Sequence, residues 1–181
     1  MAMKLRLIAR TLAALALALA IAPLPVGDAV AQAGQRAQVW IVQGALPRLP
    51  TQRALLGYAR SHNARRVQEI TDVPIPQRRW QGHLITKFRR PLGDVQFNVV
   101  FYDVEDGERR LAGQPMEVFV NRRDETVFVQ RFQLQRRDFR PNRAMELVVT
   151  IRRQEVGHTR FELVGEVPRN SGVIDFTVEG T

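Results

Sequence analysis

The chain has 181 residues, no cysteine, and 27 basic against 18 acidic side chains, a net charge of +9. The missing cysteine excludes a disulfide framework and a lipid anchor on a cysteine, so burial of apolar side chains must hold the fold. Beyond an N-terminal leader the length suits one domain, large enough to bury about 68–70% of its unfolded surface.

Residues 1–33 carry the three parts of a secretory signal peptide in order. Lys4, Arg6 and Arg10 give a positive start, and residues 12–22 are an unbroken run of Leu, Ala and Ile. Pro23 and Pro25 break that run, and Ala31-Gln32-Ala33 places small residues two apart, as signal peptidase requires. Cleavage there starts the mature chain at Gly34, with Ala29-Val30-Ala31 as the alternative cut. A spanning helix needs about 20 apolar residues, so no transmembrane span is expected after cleavage. No Arg-Arg pair precedes the apolar run, which points to the general secretory route. The leader takes Lys4, Arg6, Arg10 and Asp28 with it, leaving 148 residues with 24 basic and 17 acidic side chains.

Residues 38–43 read as a first strand, ended by Gly44, Pro47 and Pro50. Over residues 51–70 the spacing turns helical, because Leu56, Ala59, Asn63, Val67 and Ile70 advance by three or four. Thr51 is placed to cap such a helix, while Gly57 costs it about 1 kcal/mol and leaves two short helices or an irregular segment open. Val73-Pro74-Ile75-Pro76 must be extended. From Trp80 the period becomes two, with Leu84, Thr86 and Phe88 on one parity and then Val95, Phe97, Val99 and Phe101 on another. Met145, Leu147, Val149 and Ile151 repeat the pattern, as do Phe161 and Leu163. Turn signals stand at Asp106-Gly107, Pro141-Asn142, Val156-Gly157 and Asn170-Ser171-Gly172. Strands are expected near residues 38–43, 80–88, 94–104, 116–120, 126–134, 144–154, 159–167 and 173–178.

Seven to eight short strands at this spacing argue a mainly β chain, a single β-sandwich of immunoglobulin-like or related layout. Residues 34–79 are expected to supply a strand and a helical or extended segment packing on the sandwich, and residues 80–181 its core. The likeness is of architecture only.

Nearly all the basic charge is arginine, and Lys87 is the only lysine after the leader. Seven Arg-Arg pairs recur, mostly where strands begin or end. They read either as solvated rims or as a surface for an anionic ligand, for which Arg89, Arg90, Arg122, Arg123, Arg136 and Arg137 are candidates. A second surface is suggested where alternation fails. Val100, Tyr102 and Val148 fall on the parity that should meet water, so they mark either a partner site or a face covered by the segment at 51–70. Pro115 opens an expected edge strand whose Met116, Val118 and Val120 offer strand addition.

Chemistry is sparse. Ser61 and Ser171 lack a nucleophile-elbow setting, and Ser61-His62 has no indicated orienting acid. His62, His83 and His158 lack the spacing of a helical zinc pair, and the acidic run from Asp103 to Glu108 departs from a calcium loop, with Glu108 where glycine is needed. Trp40 and Trp80 sit in apolar strand patterns and read as core. No catalytic residue, cofactor or metal is expected. The expectation is an exported, non-catalytic interaction module of the cell envelope, periplasmic or outer-surface, meeting another envelope protein. The alternative is a binding module for anionic glycan, lipopolysaccharide or lipid. Export argues against nucleic acid.

Overall fold

The computed structural model describes residues 34–167, and among these described residues there are nine strands, the longer ones built on alternating apolar residues. In chain order these are β1 (Ala37–Gln43), β2 (Arg66–Ile70), β3 (Arg79–Phe88), β4 (Gln96–Asp103), β5 (Arg110–Leu111), β6 (Met116–Phe119), β7 (Val127–Gln135), β8 (Arg143–Ile151) and β9 (Gln154–Val164). One helix, α1 (Gln52–Ser61), and a 3-10 turn (Ile75–Gln77) complete the described elements. The signal-peptide residues and the strand expected at 173–178 lie outside the described residues.

The sheet folds on itself into the expected β-sandwich. In one layer β3 lies between β7 and β1, antiparallel to both. In the other, β8 lies between β9 and β4, and β4 carries β6 and β5 along its far edge. β2 joins the layers, antiparallel to β3 at Glu69↔Trp80 and parallel to β9 at Arg66↔Glu162. β1 and β2 are therefore members of the sheets rather than additions to them.

The core is the period-two set of both layers. Trp80, Leu84, Phe88, Phe128 and Phe132 face Phe97, Phe101, Met145, Leu147 and Phe161. Phe88, Phe97 and Phe128 meet edge to face with ring centroids 5.2–5.7 Å apart, an arrangement the ring quadrupoles favour.

Residues 51–70 are half helix and half strand. Thr51 caps α1, its hydroxyl accepting from the Ala54 N–H at 3.2 Å. After Ser61 the chain is drawn to β1: the Asn63 side chain accepts the Ile41 N–H, and the Ala64 N–H donates to the Ile41 carbonyl. Val67 and Ile70, which fit the helical spacing, are on β2. α1 lays Leu56 and Ala59 on Val42, Ile85 and Val127, the outer face of the β1–β3–β7 layer. It therefore covers the opposite layer from the one holding Val100 and Val148.

The turn expected at Val156-Gly157 lies earlier, at Arg152-Arg153, and Gly157 is inside β9. A β-bulge at Val149/Thr150 shifts the register. Gly157 suits the strand because a side chain there would meet the Ala37 carbonyl of β1 at 2.4 Å.

Candidate anion-facing end

Four loops converge where β3, β6 and β8 end. Residues 34–36 lead into β1, whose Ala37 pairs with Phe88, and the Arg89 N–H donates to the Arg36 carbonyl at 2.9 Å. Residues 89–95 cross from β3 to β4, and residues 120–126 cross from β6 to β7. The Phe88 N–H reaches the Thr126 carbonyl and the Val120 N–H reaches the Val95 carbonyl, both at 2.8 Å, so the crossings are tied to the strand ends. The β8–β9 turn joins them through the Arg152–Asp94 ion pair at 2.9 Å.

This end carries Arg36, Arg89, Arg90, Arg122, Arg123, Arg152 and Arg153, all exposed. Within the same loops the acids are Asp94, Asp124 and Glu125. Asp124 lies 3.6 Å from Arg122 in an exposed pair, which counts for little in water. Seven guanidinium groups against three carboxylates leave a positive field that concentrates anions, and the planar guanidinium fork suits phosphate and carboxylate. Two large apolar residues border these loops and are exposed: Val95 is 62% exposed and Phe119 63%.

The β8–β9 turn is strained. Arg152 and Arg153 have φ of +46° and +70°, the left-handed region, in a two-residue hairpin that Asn-Gly adopts freely. A non-glycine residue there costs roughly 1–2 kcal/mol, and glycine returns part of that as chain entropy. Arg153→Gly is therefore expected to raise stability by about 0.5–1 kcal/mol, read as a higher urea midpoint with unchanged slope.

Four of the six anion-binding candidates, Arg89, Arg90, Arg122 and Arg123, meet at this end. Arg136 and Arg137 do not, because they follow β7 at the opposite end. Arg136 lies 3.2 Å from Glu69 and its Nη2 donates to the Glu166 carbonyl, while Arg137 pairs with Asp138 at 3.3 Å. That opposite end is charge-compensated: Arg143 pairs with Asp103 at 2.9 Å, and Arg78 with Glu166 at 2.6 Å.

The apolar partner surface is corrected. Val100 and Val148 are 9% and 2% exposed, and Val118 faces the core opposite Phe97. Met116 lies opposite Val99 on the same inward parity, and Met116 and Val120 pack half-buried against the core. Val100 and Val148 share the outer face of the β4–β8–β9 layer with Tyr102, Glu146 and Arg160, which lie in one row, and with His158 in the next. Arg109 lies 5.7 Å over the Tyr102 ring, 2.5 Å from Glu146 and 2.8 Å from Glu155. Arg160 adds a pair to Glu146 at 3.2 Å, and His158 lies 2.9 Å from Glu155. Long arginine side chains cover apolar surface with their stems, so this face is roofed by a charge network. The outward apolar residue of β6 is Phe119. Its signal was in the chain, since it is the one aromatic on the parity opposite Met116, Val118 and Val120.

The roof is acid-sensitive. Burial works to raise Glu146, but hydrogen bonds from Arg109 and Arg160 outweigh it and hold the carboxyl below its ordinary value near 4.5. Arg109 holds Glu155 down likewise, against burial, and is itself raised by Glu155 and then Glu146. As pH falls, the unfolded chain takes up these protons first, so the stability they add is present above the ordinary carboxylate range and is lost below about pH 5. Glu146→Gln is expected to flatten the acid limb of stability against pH, measured by urea unfolding at successive pH values.

No family model matches this chain, and the search of curated proteins gives no match. Among solved structures the chain is similar to an immunoglobulin-like protein from Pseudomonas aeruginosa, at 11% identity and a TM-score of 0.40. The match covers 74% of this chain and 98% of that one.

Ser61 and His62 do touch, Oγ to Nδ1 at 2.9 Å, but the hydroxyl also donates back to the Gly57 and Tyr58 carbonyls and the imidazole stacks on Tyr58. This is the end of a helix, with no carboxylate paired to His62 among the described residues. Among those residues no cluster of three His, Asp or Glu side chains is gathered for a metal, and no helix is long and apolar enough to cross a membrane.

Proposed function

We propose that the protein is an exported, non-catalytic binding module of the cell envelope that meets an anionic partner through the arginine-rich end of its sandwich. The observation that carries this reading is the balance at this end, where seven exposed arginines from four separate loops face three carboxylates, while at the opposite end Arg78, Arg136, Arg137 and Arg143 are paired with carboxylates. The burial of Val100, Val148 and Val118 removes the main support for an apolar protein-binding patch.

The test is binding to soluble inorganic polyphosphate across a salt series, since screening shortens to about 8 Å at physiological ionic strength. Affinity is expected to fall steeply with salt and to drop more than tenfold in Arg89→Glu/Arg123→Glu. It should be unchanged in Arg48→Glu/Arg53→Glu, which alters exposed arginines outside the four loops. Equal effects of the two double variants, or no salt-dependent binding, would overturn the reading. Export has its own check: mass spectrometry of the secreted protein should place its N-terminus within a few residues of Gly34.

A further inference from the structure

We infer that the anionic partner is the surface of a lipid bilayer, with Phe119 and Val95 seated among the headgroups while the surrounding arginines bind lipid phosphates. This rests on the reading above and adds the class of ligand.

Charge alone would serve a soluble polyanion, and apolar side chains would then only add exposed area. Here the two large apolar residues at this end are among the most exposed in the described chain, and each borders an arginine-bearing loop: Val95 closes the β3–β4 crossing and Phe119 precedes the β6–β7 crossing. They are also neighbours. Phe119 pairs across the β4–β6 ladder with Gln96, the residue after Val95, and the Val120 N–H is bonded to the Val95 carbonyl. An aromatic and an aliphatic side chain bordering arginine-bearing loops match the two layers of a bilayer surface, acyl boundary below and phosphate above.

The presentation is held firmly. Leu92, buried in the core, anchors the 89–95 crossing, Asp94 accepts the Val95 N–H at 2.9 Å, and the same carboxylate pairs with Arg152. The strained backbone of Arg152 and Arg153 fits the same purpose. Two arginines occupy turn positions that asparagine and glycine would fill without strain, which places two more cations at this end.

The experiment is sedimentation of the purified protein with vesicles of phosphatidylcholine alone, vesicles of phosphatidylcholine mixed with phosphatidylglycerol, and polyphosphate as soluble competitor. The mixed vesicles should bind and the neutral ones should not. Phe119→Ser/Val95→Ser should weaken binding to mixed vesicles roughly tenfold or more, the scale of one buried aromatic side chain, and leave polyphosphate binding unchanged. Both positions are exposed, so the variant should fold, and circular dichroism checks it. If vesicle binding is indifferent to the apolar double variant while polyphosphate still binds, the bilayer inference fails and the anionic-partner reading stands. If neither vesicle nor polyphosphate binds, both fail. Equal binding to neutral vesicles would also overturn the inference, because charge would then play no part.

Discussion

Trp80→Ala is expected to cost the sandwich about 3–5 kcal/mol, the largest effect of any single truncation in the core. Trp80 is fully buried at the start of β3, where it lies opposite Glu69 of β2 and Leu134 of β7. Its indole N–H donates at 2.9 Å to the Val164 carbonyl at the end of β9. One side chain thus fills the corner where the two layers join and ties it to the far strand. Truncation opens a cavity and leaves a carbonyl short of a partner. Urea unfolding reads the loss as a lower midpoint. Trp80→Phe separates the two parts, because it keeps most of the volume and loses the hydrogen bond, worth about 0.5–1.5 kcal/mol. Leu147→Ala, at a second fully buried position, should cost about 2–5 kcal/mol. Gln96→Ala, half-exposed, should stay near 0.5 kcal/mol or below. Similar small losses at Trp80, Leu147 and Gln96 would mean the inward parity is misassigned.

Glu69→Ala is expected to be nearly as damaging, at about 3–5 kcal/mol. Glu69 is buried on the core parity of β2, beside Arg136, whose side chain is only 9% exposed, with Arg78 at 3.8 Å. The Glu166 N–H donates to the same carboxylate at 3.2 Å. Removing the carboxylate leaves a guanidinium out of water without its counter-charge, and that desolvation is the penalty. The double replacement Glu69→Leu/Arg136→Met should recover much of the loss, because it removes both charges together. Failure of the double variant to recover any stability would show that Glu69 acts through its backbone-directed hydrogen bond instead of through charge.

The long strands were legible because their alternation is clean. Phe97, Val99 and Phe101 of β4 and Met145, Leu147 and Val149 of β8 are the core, as their spacing implies. β2 was hidden by two things. Val67 and Ile70 happen to continue the helical spacing of Leu56 and Ala59, and the inward residue after Val67 is Glu69, a charge that masks the strand's apolar face. The β8–β9 turn was missed because Arg152-Arg153 carries no local preference for a left-handed backbone. At the candidate site the Arg-Arg pairs were visible, but which of them gather was not. That depends on β3, β6 and β8 ending on the same side, which only the strand pairing decides. Val100 and Val148 misled for a related reason: their cover comes from Arg109 and Arg160, remote or cross-strand residues that a parity count does not consult.

The parallel pairing of β2 with β9 has a consequence for the order of events in folding. Arg66 meets Glu162, so one of the two ladders that join the layers waits for residues made almost a hundred positions later. Contacts this distant in sequence form slowly, because the intervening chain must be ordered before they return anything. A chain delivered N-terminus first can pair β1 with β3 early, yet β2 keeps one bare edge until Phe161–Val164 has emerged. Folding of β2 into the sandwich is thereby tied to the emergence of β9, and the interval before β9 arrives is when a chaperone has an open edge to hold.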